Sequence, residues 1–185
     1  MTITANQYTK RWLAITFCLF GACVSANETK KQPAKANVVA LLQGYEWSIN
    51  AELVLGLGED VDLVLMEVAS DATLMNGYRL RALTALSLFN NDRVADYLEA
   101  QVDEAATTGQ VQHAFQALVK GFSSSRPKRV EEAALKMLKN KNPHVRISAA
   151  RSLRHLNTAT TQSAYRHYMS QEKEAWVRTE IEKRK

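Results

Sequence analysis

Cysteine is almost missing from this chain of 185 residues: only Cys18 and Cys23 carry a thiol, and both lie in the first 26 residues. The remainder must therefore hold itself together by its core alone, which a chain of this length can do. Breakers are scarce too, with 7 glycines and 3 prolines, so long helices can run with few interruptions. From Asn37 onward no strand-like alternation of apolar and polar residues occurs. No stretch beyond the first 26 residues approaches the length of a transmembrane helix. Low complexity is confined to Ser123-Ser124-Ser125.

Signatures of chemistry are equally sparse. There is no Gly-x-Ser-x-Gly, and no thiol nucleophile follows residue 23. Gly56-Leu57-Gly58 has neither a third glycine nor a preceding strand, and it reads as a helix stop. The histidines are His113, His144, His155 and His167, and no two stand three or four residues apart, as a ligand pair on one helix would. These absences argue against an enzyme, and no metal or cofactor is expected.

What is present begins with an export signal. Lys10 and Arg11 precede a short apolar run, Trp12 to Phe20, and Val24-Ser25-Ala26 places small residues at a cleavage site before Asn27. Residues 1–26 are thus expected to be a signal peptide, cleaved after Ala26. Phe20-Gly21-Ala22 ahead of Cys23 leaves lipidation of Cys23 as the alternative. Residues 27–36 read as a basic polar linker, and 37–185 as the folded domain. A periplasmic or otherwise exported protein is the expectation, and the bacterial reading rests on this signal and on the short repeats described next.

The overall charge of +5 conceals a polarity. Residues 37–119 carry 3 Lys/Arg against 12 Asp/Glu, whereas residues 120–185 carry 16 against 6. In an elongated molecule the two potentials would lie apart, leaving a polar ligand site or a head-to-tail contact at an end.

Apolar residues recur at helical spacing throughout the domain. Val145, Ala149, Ala150, Leu153 and Leu156 form one stripe, introduced by Asn142 as an N-cap and Pro143 at the first helical position. Tyr78, Ala82, Leu83, Leu86 and Phe89 repeat its offsets. Gln110, Ala114, Phe115, Leu118 and Gly121 follow them more loosely, Val177 and Ile181 begin another copy, and Glu46 to Leu57 holds a degenerate one. Successive anchors stand 32, 32, 35 and 32 residues apart. Each copy follows another apolar helix, so five helix pairs are predicted, each able to bury its apolar face only against its neighbours.

The run Asn142-Pro143-His144-Val145-Arg146-Ile147-Ser148-Ala149-Ala150-Arg151-Ser152-Leu153 resembles the second helix of a HEAT repeat, in the short bacterial form of the phycobilisome-lyase type. Residues 78–89 and 177–181 are similar, while 110–121 departs, with Val111 in place of the arginine. That resemblance implies an all-α fold, a right-handed α-solenoid of the armadillo/HEAT kind in which about five antiparallel pairs stack and the second helices line a concave face. It also implies a structural role for Arg79, Arg146 and Arg178, which hold one repeat position and would bond helix ends and acidic groups nearby. HEAT-like hydroxylases that hold iron use His-Glu pairs, which this chain lacks.

Binding residues are expected one helical step from the core stripe: Gln112, Gln116 and Lys120 in the third copy, Ile147, Arg151, Arg154 and His155 in the fourth, and Lys183 in the fifth. The groove would become basic toward the C-terminus. The leading expectation is an exported scaffold or adaptor that binds a protein partner through its concave face. The alternative is an anionic envelope component, lipid or polymer, held by the basic half. Nucleic acid fits such a patch chemically but not the export signal.

Overall fold

A computed structural model describes residues 32–104 and 107–183. The expected signal peptide, both cysteines and residues 27–31 lie outside the described residues. Within them every regular element is a helix: α1 (Lys35–Leu41), α2 (Ala51–Leu55), α3 (Val61–Ser70), α4 (Asn76–Ala85), α5 (Asp92–Glu104), α6 (Thr108–Phe122), α7 (Pro127–Met137), α8 (Pro143–Leu156), α9 (Ala159–Gln171) and α10 (Ala175–Glu182). A 3-10 turn, Leu86–Leu88, prolongs α4. None of these helices is long and apolar enough to cross a membrane.

Local chemistry sets the ends. Side chains of Asn50, Asn91, Thr107 and Asn142 accept hydrogen bonds from backbone amides in the first turns of α2, α5, α6 and α8. Thr158 and Thr161 cap α9 reciprocally. These bonds satisfy amides that have no partner inside the helix. Pro127 and Pro143 occupy first-turn positions where no amide is needed. Asn157 ends α8 in the left-handed conformation (φ 52°), one that asparagine tolerates better than most residues. Helix α1 starts at Lys35, within the stretch expected to be linker, and Lys35 Nζ is held by Asp71 at 2.6 Å and Glu67 at 3.0 Å.

The helices pack neighbour to neighbour. α1 packs on α2, α3 on α4, α5 on α6 and α7 on α8, while α9 and α10 both lie on α8. The second helices also touch in order, α4 with α6, α6 with α8 and α8 with α10. One core runs from Val38 to Leu153, with Phe115, Phe122, Leu83, Leu98 and Leu118 fully buried. A smaller cluster of Ile147, Ala150, Val177 and Ile181 seats α10.

The acidic and basic halves are not kept apart in space. Arg126 pairs with Asp92 at 2.8 Å, Arg129 bridges Asp96 and Glu99, and Lys136 reaches Asp103 at 2.5 Å. The acidic flank of α5 thus lies on the basic flank of α7, so much of the polarity seen along the sequence is neutralised inside the fold. Packing of both α5 and α7 on α6 brings the two blocks within reach, and opposite charges then pair between them.

Gly121 explains why the third copy of the stripe is loose. A Cβ there would stand 2.9 Å from Ser87 O and 3.3 Å from Ser87 Cα, where α6 meets the 3-10 turn. The other copies carry Phe89 or Leu156 at this point. Gly121→Ala is expected to destabilise the protein by about 1–3 kcal/mol, because the clash is with backbone. Gly77→Ala, whose Cβ would meet nothing within 4 Å, is the control and should be neutral or slightly stabilising. Urea midpoints of the two variants test the contrast; equal midpoints would remove the close-approach explanation.

Candidate functional site

Three arginines at one repeat position do the same work. Arg79 Nε donates to Ala69 O at 3.2 Å, Arg146 Nη1 donates to Asn140 O and Lys141 O at 3.1 and 3.0 Å, and Arg178 donates to Glu172 O. Ala69 O and Glu172 O lie at the C-terminal ends of α3 and α9, whereas Asn140 O and Lys141 O lie in the loop that joins α7 to α8. Carbonyls at a helix end have no partner within the helix, and a cation there also complements the helix dipole. Trp47, at the matching position of the first pair, donates its indole Nε1–H to Leu41 O at 2.9 Å, at the end of α1. The degenerate first copy therefore keeps the bond with a neutral donor.

Arg146 is the most heavily engaged of the three. Its Nε lies 2.9 Å from Glu172 Oε2 and its Nη2 lies 2.7 Å from Glu174 Oε1, and Tyr168 donates its hydroxyl to Glu172. Burial pushes the Glu172 carboxyl up, but hydrogen bonds from Arg146, Tyr168 and the Glu174 amide outweigh it and bring it down to about 2. Burial and the bond to Glu172 push the Tyr168 hydroxyl up to about 12.

The predicted binding residues are brought together in part. Gln112, Gln116, Ile147, Arg151 and His155 line a recess of about 400 Å³ between α6 and α8. Arg151, Arg154, His155 and Lys183 line a second recess of about 570 Å³, with Asn157 and Gln162. Arg151 and His155 belong to both, so the two adjoin. Lys120 is exposed and lies outside both linings. Ile147 is only 6% exposed and packs with Ala150, Val177 and Ile181, so it is chiefly a core residue. The basic residues are also partly committed. Arg151 donates to Glu180 O, Arg154 Nη1 donates to Ile181 O at 2.9 Å, and Lys183 pairs with Glu180. These arginines close the end of α10 with the same device that Arg79 and Arg178 use on other helices.

Two further titratable groups, His113 and Asp62, serve packing. His113 is half-buried with its Nδ1 at 2.9 Å from the Thr84 hydroxyl, and burial lowers its pKa. Asp62 is buried; that burial raises its carboxyl, but bonds from Arg93 and Asn91 outweigh it and hold it below the usual range. Among the described residues no three His, Cys, Asp or Glu side chains converge as metal ligands would.

A larger cavity, about 920 Å³, lies elsewhere, between α7 and α9. Leu135, Leu138, Ala164 and Tyr168 line it together with Lys136, Lys139 and Lys173. Sequence reasoning missed it, because periodicity assigns these apolar residues to packing without showing that the two helices stand apart. One sign was available: α9 carries no carboxylate to match the basic α7.

Helices packed neighbour to neighbour, with two adjoining recesses on α8, make the described residues an all-α fold. Compared with protein-family models, curated proteins and solved structures, the chain matches none.

Proposed function

We propose that the chain is an exported scaffold of the HEAT-repeat kind, a right-handed α-solenoid whose second-helix face binds a protein partner. One observation carries this reading: the recess between α6 and α8, where Gln112, Gln116, Arg151 and His155 gather on adjacent second helices. The repeated bond from Arg79, Arg178 and Trp47 to the end of the preceding helix, and from Arg146 to the loop that follows it, supports the repeat assignment. A face of amide, imidazole and guanidinium groups over a shallow floor suits the polar, partly charged surface of another protein. The role is binding rather than catalysis.

Photo-crosslinking residues placed at Gln116 and at His155 should capture the same partner from an envelope fraction, and one at Lys128 should not. Arg151→Glu should weaken the capture. Failure at both recess positions, with the protein folded and exported, would end this reading. The intact mass of the exported protein tests the address: cleavage after Ala26 leaves a chain beginning at Asn27, and lipidation leaves one beginning at a modified Cys23.

The polar recess of Arg151, Arg154, His155 and Lys183 favours a second reading, in which an anionic envelope lipid or polymer is the ligand. Binding of phosphatidylglycerol vesicles should then fall steeply with salt. Arg151→Glu with Arg154→Glu should abolish it, and unchanged binding would dismiss the idea.

A further inference from the structure

We propose that the groove between α7 and α9 is a docking site for an acidic amphipathic helix of a partner protein. The inference does not rest on the second-helix recess and stands or falls separately from it. It begins with an asymmetry in how the first helices are joined. α3 and α5 are bridged by Tyr97 to Met66 O and by Arg93 to Asp62; α5 and α7 are bridged by the ion pairs of Arg126, Arg129 and Lys136. Between α7 and α9 the described bridge is a single long bond, Thr158 Oγ1 to Glu131 Oε2 at 3.5 Å, at the far end of the pair. Helix α9 is held instead from α8, on which it packs and whose Arg146 grips Tyr168 and Glu172. The two first helices therefore stand apart, and the cavity of about 920 Å³ opens between them.

The lining states what would fill it. Its apolar part is Leu135, Leu138, Ala164 and Tyr168. Its carboxylates, Glu172 and Glu174, are already held by Arg146. Lys139 and Lys173 have no ion-pair partner among the described residues. α9 runs from Ala159 to Gln171 without an Asp or Glu, so it cannot neutralise them. The other flank of α7 shows the complementary charge. There α5, whose apolar Val94, Leu98 and Val102 are buried as it packs on α6, turns Asp92, Asp96, Glu99 and Asp103 to Arg126, Arg129 and Lys136 at and on α7. A second helix of that chemistry would supply apolar side chains to the floor and carboxylates to the two lysines, the usual way an amphipathic helix occupies a groove.

The test uses a labelled 14-residue helical peptide with leucines at i, i+3 and i+7 flanked by glutamates, and a twin with lysine for each glutamate. Fluorescence anisotropy with the exported chain should show saturable binding of the glutamate peptide alone, weakening as salt rises. Lys139→Glu combined with Lys173→Glu should weaken binding by about tenfold or more. The thermal midpoint should stay unchanged, since both side chains are exposed. Ala164→Trp, which fills the groove, should block the peptide without removing the lysines. Equal binding of the two peptides, no saturable binding, or full affinity in both variants would overturn the proposal. So would self-association that masks the groove, or uptake of phosphatidylglycerol vesicles lost in the same variants, since either names a different occupant.

Discussion

Phe115→Ala is expected to cost about 3–5 kcal/mol, the range for removing a fully buried aromatic ring. Phe115 is fully buried in α6, the helix that touches α4, α5, α7, α8 and the 3-10 turn. In a stack where each pair is held by its neighbours, a cavity in the middle weakens the joins on both sides. Total stabilities of domains are about 5–15 kcal/mol, so the loss takes a large share and should bring unfolding close to working temperature. Urea unfolding followed by helical circular dichroism measures it. Phe115→Leu, which keeps most of the volume, should lose much less. If the two variants lose the same small amount, Phe115 is not the keystone that its burial indicates.

Arg146→Ala is the second large effect. The arginine is 13% exposed and its partner Glu172 is 6% exposed, so truncation strands a buried carboxylate and leaves two carbonyls of the α7–α8 loop without their donor. Breaking such a pair from one side costs about 3–5 kcal/mol. The damage should concentrate in α9 and α10, where hydrogen exchange would quicken before it does in α4 to α6. Glu172→Gln in the Arg146→Ala background should recover part of the loss by removing the stranded charge, a coupling that two independent surface residues would not show.

The same pair predicts a pH dependence. The Glu172 carboxyl lies at about 2 in the folded protein, below its ordinary value of 4.5. Its stabilisation, on the order of 3 kcal/mol from that shift, is whole above pH 4.5 and disappears as pH falls through about 2. Tyr168 runs the other way: its hydroxyl is raised to about 12, so its contribution is whole below pH 10 and fades as pH rises past 12. In Arg146→Ala the loss of stability between pH 4.5 and 2 should be visibly shallower than in the parent. Identical acid profiles for the two proteins would show that Arg146 is not what holds the carboxyl down.

Phe115 and Glu172 lie in different parts of the fold. Phe115 sits in the apolar stripe of α6, and helical spacing alone places it on the buried face. Glu172 lies between α9 and α10, outside any repeated stripe, and nothing in its neighbourhood of Gln171 and Lys173 marks it as buried. Arg146 was legible as a structural arginine; its grip on Glu172, Glu174 and Tyr168 was not, since those partners lie 22 to 28 residues away. Trp47 shows the same limit, because an indole can replace a guanidinium only where geometry brings it to the carbonyl of Leu41.

The helical character of the described residues and the cap of α8 at Asn142 and Pro143 were written in the sequence, because the period of apolar residues and the chemistry of helix ends are local properties. Which helices would stand apart was not. The groove between α7 and α9, the pairing of α5's acids with α7's bases and the commitment of Arg151 and Arg154 to α10 were decided by packing. Each depends on how far a side chain reaches across to another helix, a distance that spacing along the chain does not contain.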